Sequence, residues 1–374
     1  MKPVLFVLSN YHPAVGGAEI QASLLASALA ARGQPVEVLT AALPGHPHEE
    51  IIDGVPVHRR LRLIRRHGWW AATHFASSLV FLLRRGARYR AVVGFQLQAF
   101  HTPAGALWSR ATGGRFVIRA SGAGPTGDLA SARGDGARGF VLGAARRASA
   151  VVALGAELRG QFLAAGFDAS RVATIPNAVD TELFHAGAAG EREGIVFVGR
   201  LIAGKGLEEL VEAARLLREG GLRTTVTVFG DGPERARLEA AVQGAGLAGA
   251  FGLRGARPRA EIAAALRGAA AFALPSLEEG MSNALLEAMA SGCPAVASGI
   301  DANRELVADG ESGLLAPPGD AAALAAALGR LLADRALATR LAAAGLDRVA
   351  RQHTPAAVAA QWLDLFARIG APAL

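Results

Sequence analysis

Cysteine and long apolar runs are all but missing from this sequence. Its 374 residues include one cysteine, Cys293, which excludes a disulfide framework and any multi-cysteine metal site. No apolar run reaches the roughly 18 residues that cross a bilayer. The apolar stretch near the N-terminus covers only residues 4–8. That is too short for a secretory leader, and no small-residue cleavage site follows it, so the expected location is cytoplasmic. Charge is also modest, at 19% against 51% hydrophobic residues. A disordered or fibrous chain does not have that balance, and the apolar content is enough for large cores.

The charge is uneven. Residues 1–185 hold 20 Lys/Arg against 11 Asp/Glu, and residues 186–374 hold 19 against 21. A basic half beside a near-neutral half points to an anionic partner for the first: nucleic acid, an anionic membrane surface or a phosphorylated substrate. A chain of this length favours two domains.

Short β-branched runs alternate with Ala/Leu-rich stretches of helical character. Strands are expected near 3–9, 35–40, 91–95, 115–119, 150–154 and 171–175, then 194–198, 224–230, 249–253, 270–274 and 294–297. Helices are expected near 17–32, 70–86, 135–147 and 156–165, then 206–219, 233–244, 258–267, 283–291 and 319–333. Runs such as IVFVG at 195–199 are continuously apolar, as in strands buried on both faces of a parallel sheet. Strand–helix alternation predicts an α/β protein with two doubly wound, Rossmann-like parallel-sheet domains facing a cleft. The Gly-rich stretch at 185–194 divides the chain into domains 1–185 and 186–353. The segment 354–374 is an amphipathic helix expected to pack back toward the N-terminal domain.

Ligands of such sheets bind beyond the carboxyl ends of strands, and three motifs sit there. In SNYHPAVGGAEIQ (9–21), Gly16 and Gly17 open a helix whose free N–H groups suit phosphate. The dinucleotide fingerprint G-x-G-x-x-G is absent. In FVGRLIAGKG (197–206), Arg200 and Lys205 flank a Gly-rich loop, and two cations there can clamp a diphosphate and stabilise it as a leaving group. In LPSLEEGMSNALLEAMASG (274–292), Glu279 and Glu287 stand around a helix that Ser282 caps. Its free N–H groups at 281–284 suit phosphate, and its carboxylates suit sugar or ribose hydroxyls. Apolar neighbours around Glu287 imply partial burial and a partner for it.

Glu279, seven residues, then Glu287, together with Arg200, Lys205 and the loop Gly16-Gly17-Ala18-Glu19, resembles glycosyltransferase family 4. The stretches 151–184, VFGDGPER (228–235), 255–276 and DGESGLLAPPGD (309–320) agree. The resemblance is strongest over 150–320 and weakest over 42–135. It implies the GT-B fold and a retaining transfer of sugar from a nucleotide-diphosphate donor, with the acceptor attacking on the face the nucleotide leaves. It implies that Arg200 and Lys205 bind the diphosphate and that Glu287 binds the ribose. Glu279 with Gly280, Met281, Ser282 and Asn283 would hold the donor sugar and distal phosphate. Gly16 and Gly17 would approach the donor, and Arg254 with its neighbours would line the base pocket. No cofactor and no metal are expected, since no DxD-type pair stands where it would hold one. UDP or GDP is favoured over ADP as carrier.

The acceptor belongs to the first half. The same resemblance makes His101, in VVGFQLQAFHTPAGALW (92–108), the candidate catalytic histidine. Arg119, Ser121 and Asp128 in the Gly-rich stretch 119–136, with His12, are the candidate acceptor residues. Residues 58–90 combine many arginines with Trp69, Trp70, Phe75 and Phe81, a pattern suited to a membrane interface. That points to a glycan acceptor on a lipid, met at the inner face of the membrane. The aromatics are clustered rather than interleaved as stacking platforms, so nucleic acid is not expected. Three other readings exist: a sugar-nucleotide-binding scaffold without catalysis, a nucleotide-sugar epimerase, and a nicotinamide oxidoreductase. The cation and carboxylate set argues against the first two, and the missing fingerprint against the third.

Overall fold

The computed structural model of the chain describes residues 1–13, 16–64, 69–122, 127, 129, 137–187 and 190–370. Its contacts divide the chain into two compact units, 1–178 with 355–374, and 179–354.

Unit 1 runs β1 (Val4–Val7), α1 (Gly17–Ala31), β2 (Val36–Ala41), β3 (Glu49–Ile52), β4 (Val55–Leu61), α2 (Trp69–Arg85), β5 (Ala91–Phe95), α3 (His101–Thr112), β6 (Phe116–Arg119), α4 (Ala137–Ala145), β7 (Ala150–Ala153), α5 (Ala156–Ala164) and β8 (Val172–Thr174). Among the described residues it holds one eight-stranded sheet, ordered β3-β4-β2-β1-β5-β6-β7-β8. All neighbours are parallel except β3 and β4. Every residue of β1, β5, β6 and β7 is buried, because helices cover both faces of a parallel sheet.

Two departures from the expected elements have local causes. The β3–β4 hairpin turns on Asp53 and Gly54, with φ of 48° and 77°. That is the left-handed pair an Asp-Gly two-residue turn supplies. Helix α3 forms despite Pro103 and Gly105. Pro103 lies in the first turn, where its missing N–H costs nothing. Gly105 lets the helix lie on the Phe116 ring, 2.3 Å from where a Cβ would stand.

Unit 2 runs β9 (Ile195–Val198), α6 (Leu207–Glu219), β10 (Val226–Phe229), α7 (Arg235–Gly244), β11 (Phe251–Gly255), α8 (Arg259–Gly268), β12 (Ala271–Leu274), α9 (Asn283–Ala290), β13 (Ala295–Ser298), α10 (Asp301–Arg304), β14 (Leu314–Ala316), α11 (Ala321–Ala333) and α12 (Arg335–Gln352). Its sheet is parallel throughout and ordered β11-β10-β9-β12-β13-β14. Numbered within the unit this is 3-2-1-4-5-6, the doubly wound order of dinucleotide-binding folds. Strand β14 and helices α10 and α12 add to the expected elements.

The unit begins at 179, earlier than the 186 expected from composition. Residues 180–184 are tied to unit 2 by Asp180 beside Arg259 and by the Leu183 carbonyl accepting from Arg267. The last helix, α13 (Pro355–Arg368), buries Val358, Trp362, Leu365 and Phe366 in the core of unit 1, against α1. Among the described residues, no helix is long and apolar enough to cross a membrane.

Candidate donor and acceptor sites

A doubly wound sheet opens a crevice where its strand order reverses. In unit 2 the reversal lies between β9 and β12. The loop leaving β9 carries Arg200 and Lys205, and the loop leaving β12 carries Glu278 to Ser282. The sheet therefore delivers both motifs to one place. The Leu277 N–H donates to the Gly204 carbonyl at 2.8 Å and joins the two loops. Gly206, at φ +66°, permits the approach: a Cβ there would lie 2.1 Å from the Pro275 carbonyl oxygen.

At this junction Lys205 Nζ donates to Glu279 Oε1 at 2.5 Å. The pair is largely shielded, with side chains 19% and 11% exposed. Arg200 is exposed at the carboxyl end of β9. Gly280 and Asn283 are half-buried, and Met281 and Ser282 are buried. Ser282 caps α9, its Oγ accepting from the Leu285 N–H at 3.3 Å. A carboxylate, an ammonium, a guanidinium and a helix N-terminus thus stand at one crevice. That set can hold a phosphate and, beside it, a hydroxyl group.

Glu287, a turn into α9, is buried, and its partner is Arg259 at the start of α8. Arg259 Nη2 lies 3.1 Å from Glu287 Oε1 and Nη1 lies 3.6 Å from Asp180 Oδ2. The guanidinium also stacks on Phe184, 5.0 Å from the ring centre. Burial raises the Glu287 carboxyl above its ordinary value, Arg259 pulls it down and Asp180 adds to the rise. Arg254 projects into solvent from the edge strand β11.

In unit 1 the order reverses between β1 and β5. The loop after β1 carries His12, Gly16 and Gly17, and the one after β5 leads to His101. Gly16 caps α1, its N–H donating to Glu19 Oε2 at 3.0 Å, and Gly17 is the first helical residue. His12 is half-buried, its ring edge-on to Tyr11.

His101 does not present its ring to solvent. It is buried over Gly94 and edge-on to His74 at 5.4 Å. Burial and the neighbouring His74 hold its pKa well below the ordinary value, so at neutral pH it is uncharged. Arg119 is likewise buried, donating to Asn177 Oδ1 and lying 5.2 Å over the Phe95 ring. These two contacts accompany the burial of the arginine that ends β6. Ser121 is half-buried. Asp128 lies outside the described residues.

Two residues of these crevices escaped the sequence reading. Arg259 was hidden in an Arg-rich stretch (RGARPRAEI), and only the demand of Glu287 for a partner pointed to it. Gln96 directly follows β5 at the unit 1 reversal and has a left-handed backbone, φ +71°. A glutamine held there carries strain that the surrounding fold maintains, and nothing local in the sequence announces it.

The family description "Glycosyltransferase Family 4" matches residues 15–183, and "Glycosyl transferases group 1" matches residues 192–334. The chain is 35% identical over 208 residues to the 2-deoxystreptamine glucosyltransferase of Streptomyces kanamyceticus, an alignment covering 52% of this chain and 54% of that protein. The match therefore spans about half the length of that relative. It is 28% identical to the alpha-D-kanosaminyltransferase of the same organism, over 92% of this chain and 98% of that one. Anabaena HepE, solved with UDP and glucose, shares the fold with a TM-score of 0.79 at 18% identity, over 98% of this chain and all of that one. With both sheets, both crevices and these likenesses in hand, the chain belongs to glycosyltransferase family 4 and has the GT-B fold.

Proposed function

We propose that the protein is a retaining glycosyltransferase that moves a sugar from a nucleotide diphosphate to a glycan acceptor carried on a lipid, at the inner face of the membrane. The observation that carries this reading is the Lys205–Glu279 pair beside Arg200 at the strand-order reversal of unit 2. The ammonium and guanidinium neutralise the departing diphosphate, so transfer proceeds without a metal ion. The N-terminus of α9 holds the distal phosphate. Glu279, relieved of part of its hold on Lys205 as phosphate arrives, accepts hydrogen bonds from the donor sugar. Glu287, steadied by Arg259, accepts from the ribose. Gly16 and Gly17 approach the donor, Arg254 borders the base, and His12 and Ser121 border the acceptor. His101, buried and neutral, sets the shape of the unit 1 crevice rather than trading protons with solvent.

UDP is the favoured carrier, supported by the UDP and UDP-glucose complexes of HepE. A second reading has a soluble aminocyclitol as acceptor, and it is favoured by the 2-deoxystreptamine glucosyltransferase among the relatives. The test is a thermal-shift panel of UDP, GDP and ADP on wild type and Lys205→Ala, followed by transfer assays with lipid-linked and aminocyclitol acceptors. Stabilisation by UDP that the variant loses, with a product of retained anomeric configuration, is expected. Stabilisation unchanged in the variant overturns the diphosphate clamp, and an inverted product overturns retention.

A further inference from the structure

Unit 2 holds a cavity away from the Lys205–Glu279 crevice. It measures about 1190 Å³ and lies at the amino ends of the strands. Gly194, Thr225, Ala250, Ala270 and Pro294 line it, and each stands at or just before the first residue of a strand. The donor residues follow the last residues of β9 and β12. Four-residue strands rising about 3.3 Å per residue put roughly 13 Å of sheet between the two places.

Two features of the lining define a ligand. The lining includes the apolar side chains of Leu222, Leu247, Phe251 and Leu331. It also includes four arginines, Arg192, Arg218, Arg223 and Arg335, and one acid, Glu193. The half of the chain from 186 onward has more acidic than basic residues, so this concentration of guanidinium runs against the local composition. Arg218 is held by the Gly246 carbonyl at 2.6 Å, and Arg335 is 3.7 Å from Glu191. Arg223 is exposed. Among the described residues, Arg192 Nη1 is buried with no hydrogen-bond partner. A buried guanidinium N–H without an acceptor is costly, and natural folds seldom leave one. A phosphate oxygen is the acceptor that a guanidinium fork binds best.

We propose that this cavity is a second ligand site, one that takes a phosphate monoester with an apolar body. The phosphate sits against Arg192 and Arg223, and the body lies along Leu222, Leu247 and Leu331. Its volume is ample for a drug-sized ligand. The inference stands on the cavity and its lining alone and is independent of the donor reading.

The test uses octyl phosphate below its micelle concentration, with uridine monophosphate, octanol and inorganic phosphate as separate arms. Calorimetry and melting curves are run on wild type, Arg192→Gln, Arg223→Glu, Ala342→Trp and Lys205→Ala. Ala342 is a half-buried lining residue, so tryptophan there fills the space from a helix surface. Octyl phosphate is expected to bind one per chain and to raise the melting point of wild type and Lys205→Ala by a few degrees. The rise should vanish in Ala342→Trp and fall at least tenfold in apparent affinity in Arg223→Glu and Arg192→Gln. Octanol and inorganic phosphate should each bind at least tenfold more weakly. An equal rise from uridine monophosphate that Ala342→Trp also abolishes identifies a nucleotide rather than a lipid as the source of the same chemistry. The proposal is overturned if wild type shows no saturable binding. It is also overturned if binding survives in Ala342→Trp, or is lost in Lys205→Ala, which would place the ligand in the donor crevice.

Discussion

Lys205 and Glu279 lie 74 positions apart in sequence and meet as a shielded ion pair. Each is the other's counter-charge before any donor arrives. In the proposed transfer, an incoming diphosphate competes for the ammonium and frees a carboxylate oxygen beside the donor sugar. One exchange of partners thus prepares both the leaving group and the hydroxyl contact.

Removal of either member should therefore cost transfer more than it costs folding. Lys205→Ala is expected to lower kcat/KM by about 10²–10³, the usual loss when one charge-stabilising group is removed. Glu279→Gln should lower it by a smaller factor. The double variant should fall well short of the product of the two losses, since the pair acts as a unit. Initial rates of the three variants check this, and fully multiplicative losses would refute the coupling.

Arg259 is expected to act through Glu287. Arg259→Leu leaves a buried carboxylate with no cation, which should cost about 3 kcal/mol of stability by urea unfolding. Glu287→Gln in the same background should recover part of that loss. The recovered protein should still bind nucleotide poorly, because the amide cannot take the place of a carboxylate toward ribose hydroxyls.

The paired histidines of unit 1 give a pH dependence with a definite sign. Burial lowers the His74 pKa from its ordinary 6.5 to about 4, and His101 shifts the same way. Between pH 6.5 and 4 the unfolded chain takes up protons that the folded one refuses. Stability should then fall as pH falls through that window, by on the order of 3 kcal/mol from His74 alone. Urea midpoints of wild type and His74→Phe at pH 7 and pH 5 test it. Equal pH slopes in the two proteins would count against the assignment.

The solvent side of α2 bears on the membrane reading. Trp69, Val80 and Leu83 are 62%, 47% and 57% exposed, whereas His74, Ser78, Phe81 and Leu82 face inward. Arg84 and Arg85 end the helix. Trp69→Glu with Leu83→Glu should reduce sedimentation with anionic vesicles by tenfold or more, and leave transfer to a soluble acceptor analogue unchanged. Equal sedimentation of wild type and variant would remove α2 as the contact.

Much of this was legible in the residues. Continuous apolar runs gave the buried strands, and the glycines after β9 and β12 gave the loops, so Arg200, Lys205 and Glu279 were found with their neighbourhood. Three things were not legible, each for a physical reason. The periodicity of α3 is interrupted by Pro103 and Gly105, whose tolerance depends on a first-turn position and on Phe116 from another strand. The β3–β4 hairpin did leave a signal, the Asp-Gly pair, but its strands are short. Burial of His101 and Arg119 is tertiary: nothing near either residue in sequence reveals His74 or Asn177.

The C-terminal helix gives the fold an unusual architecture for recombination. Unit 2 is an insertion within unit 1, and its two ends touch: the Val179 N–H donates to the His353 carbonyl at 2.9 Å. Residues 179–354 therefore form a cassette with adjacent cut points. With the donor placed in unit 2 as proposed, exchanging that cassette between relatives would trade one donor chemistry for another and leave Trp362 and Phe366 to complete the same recipient core.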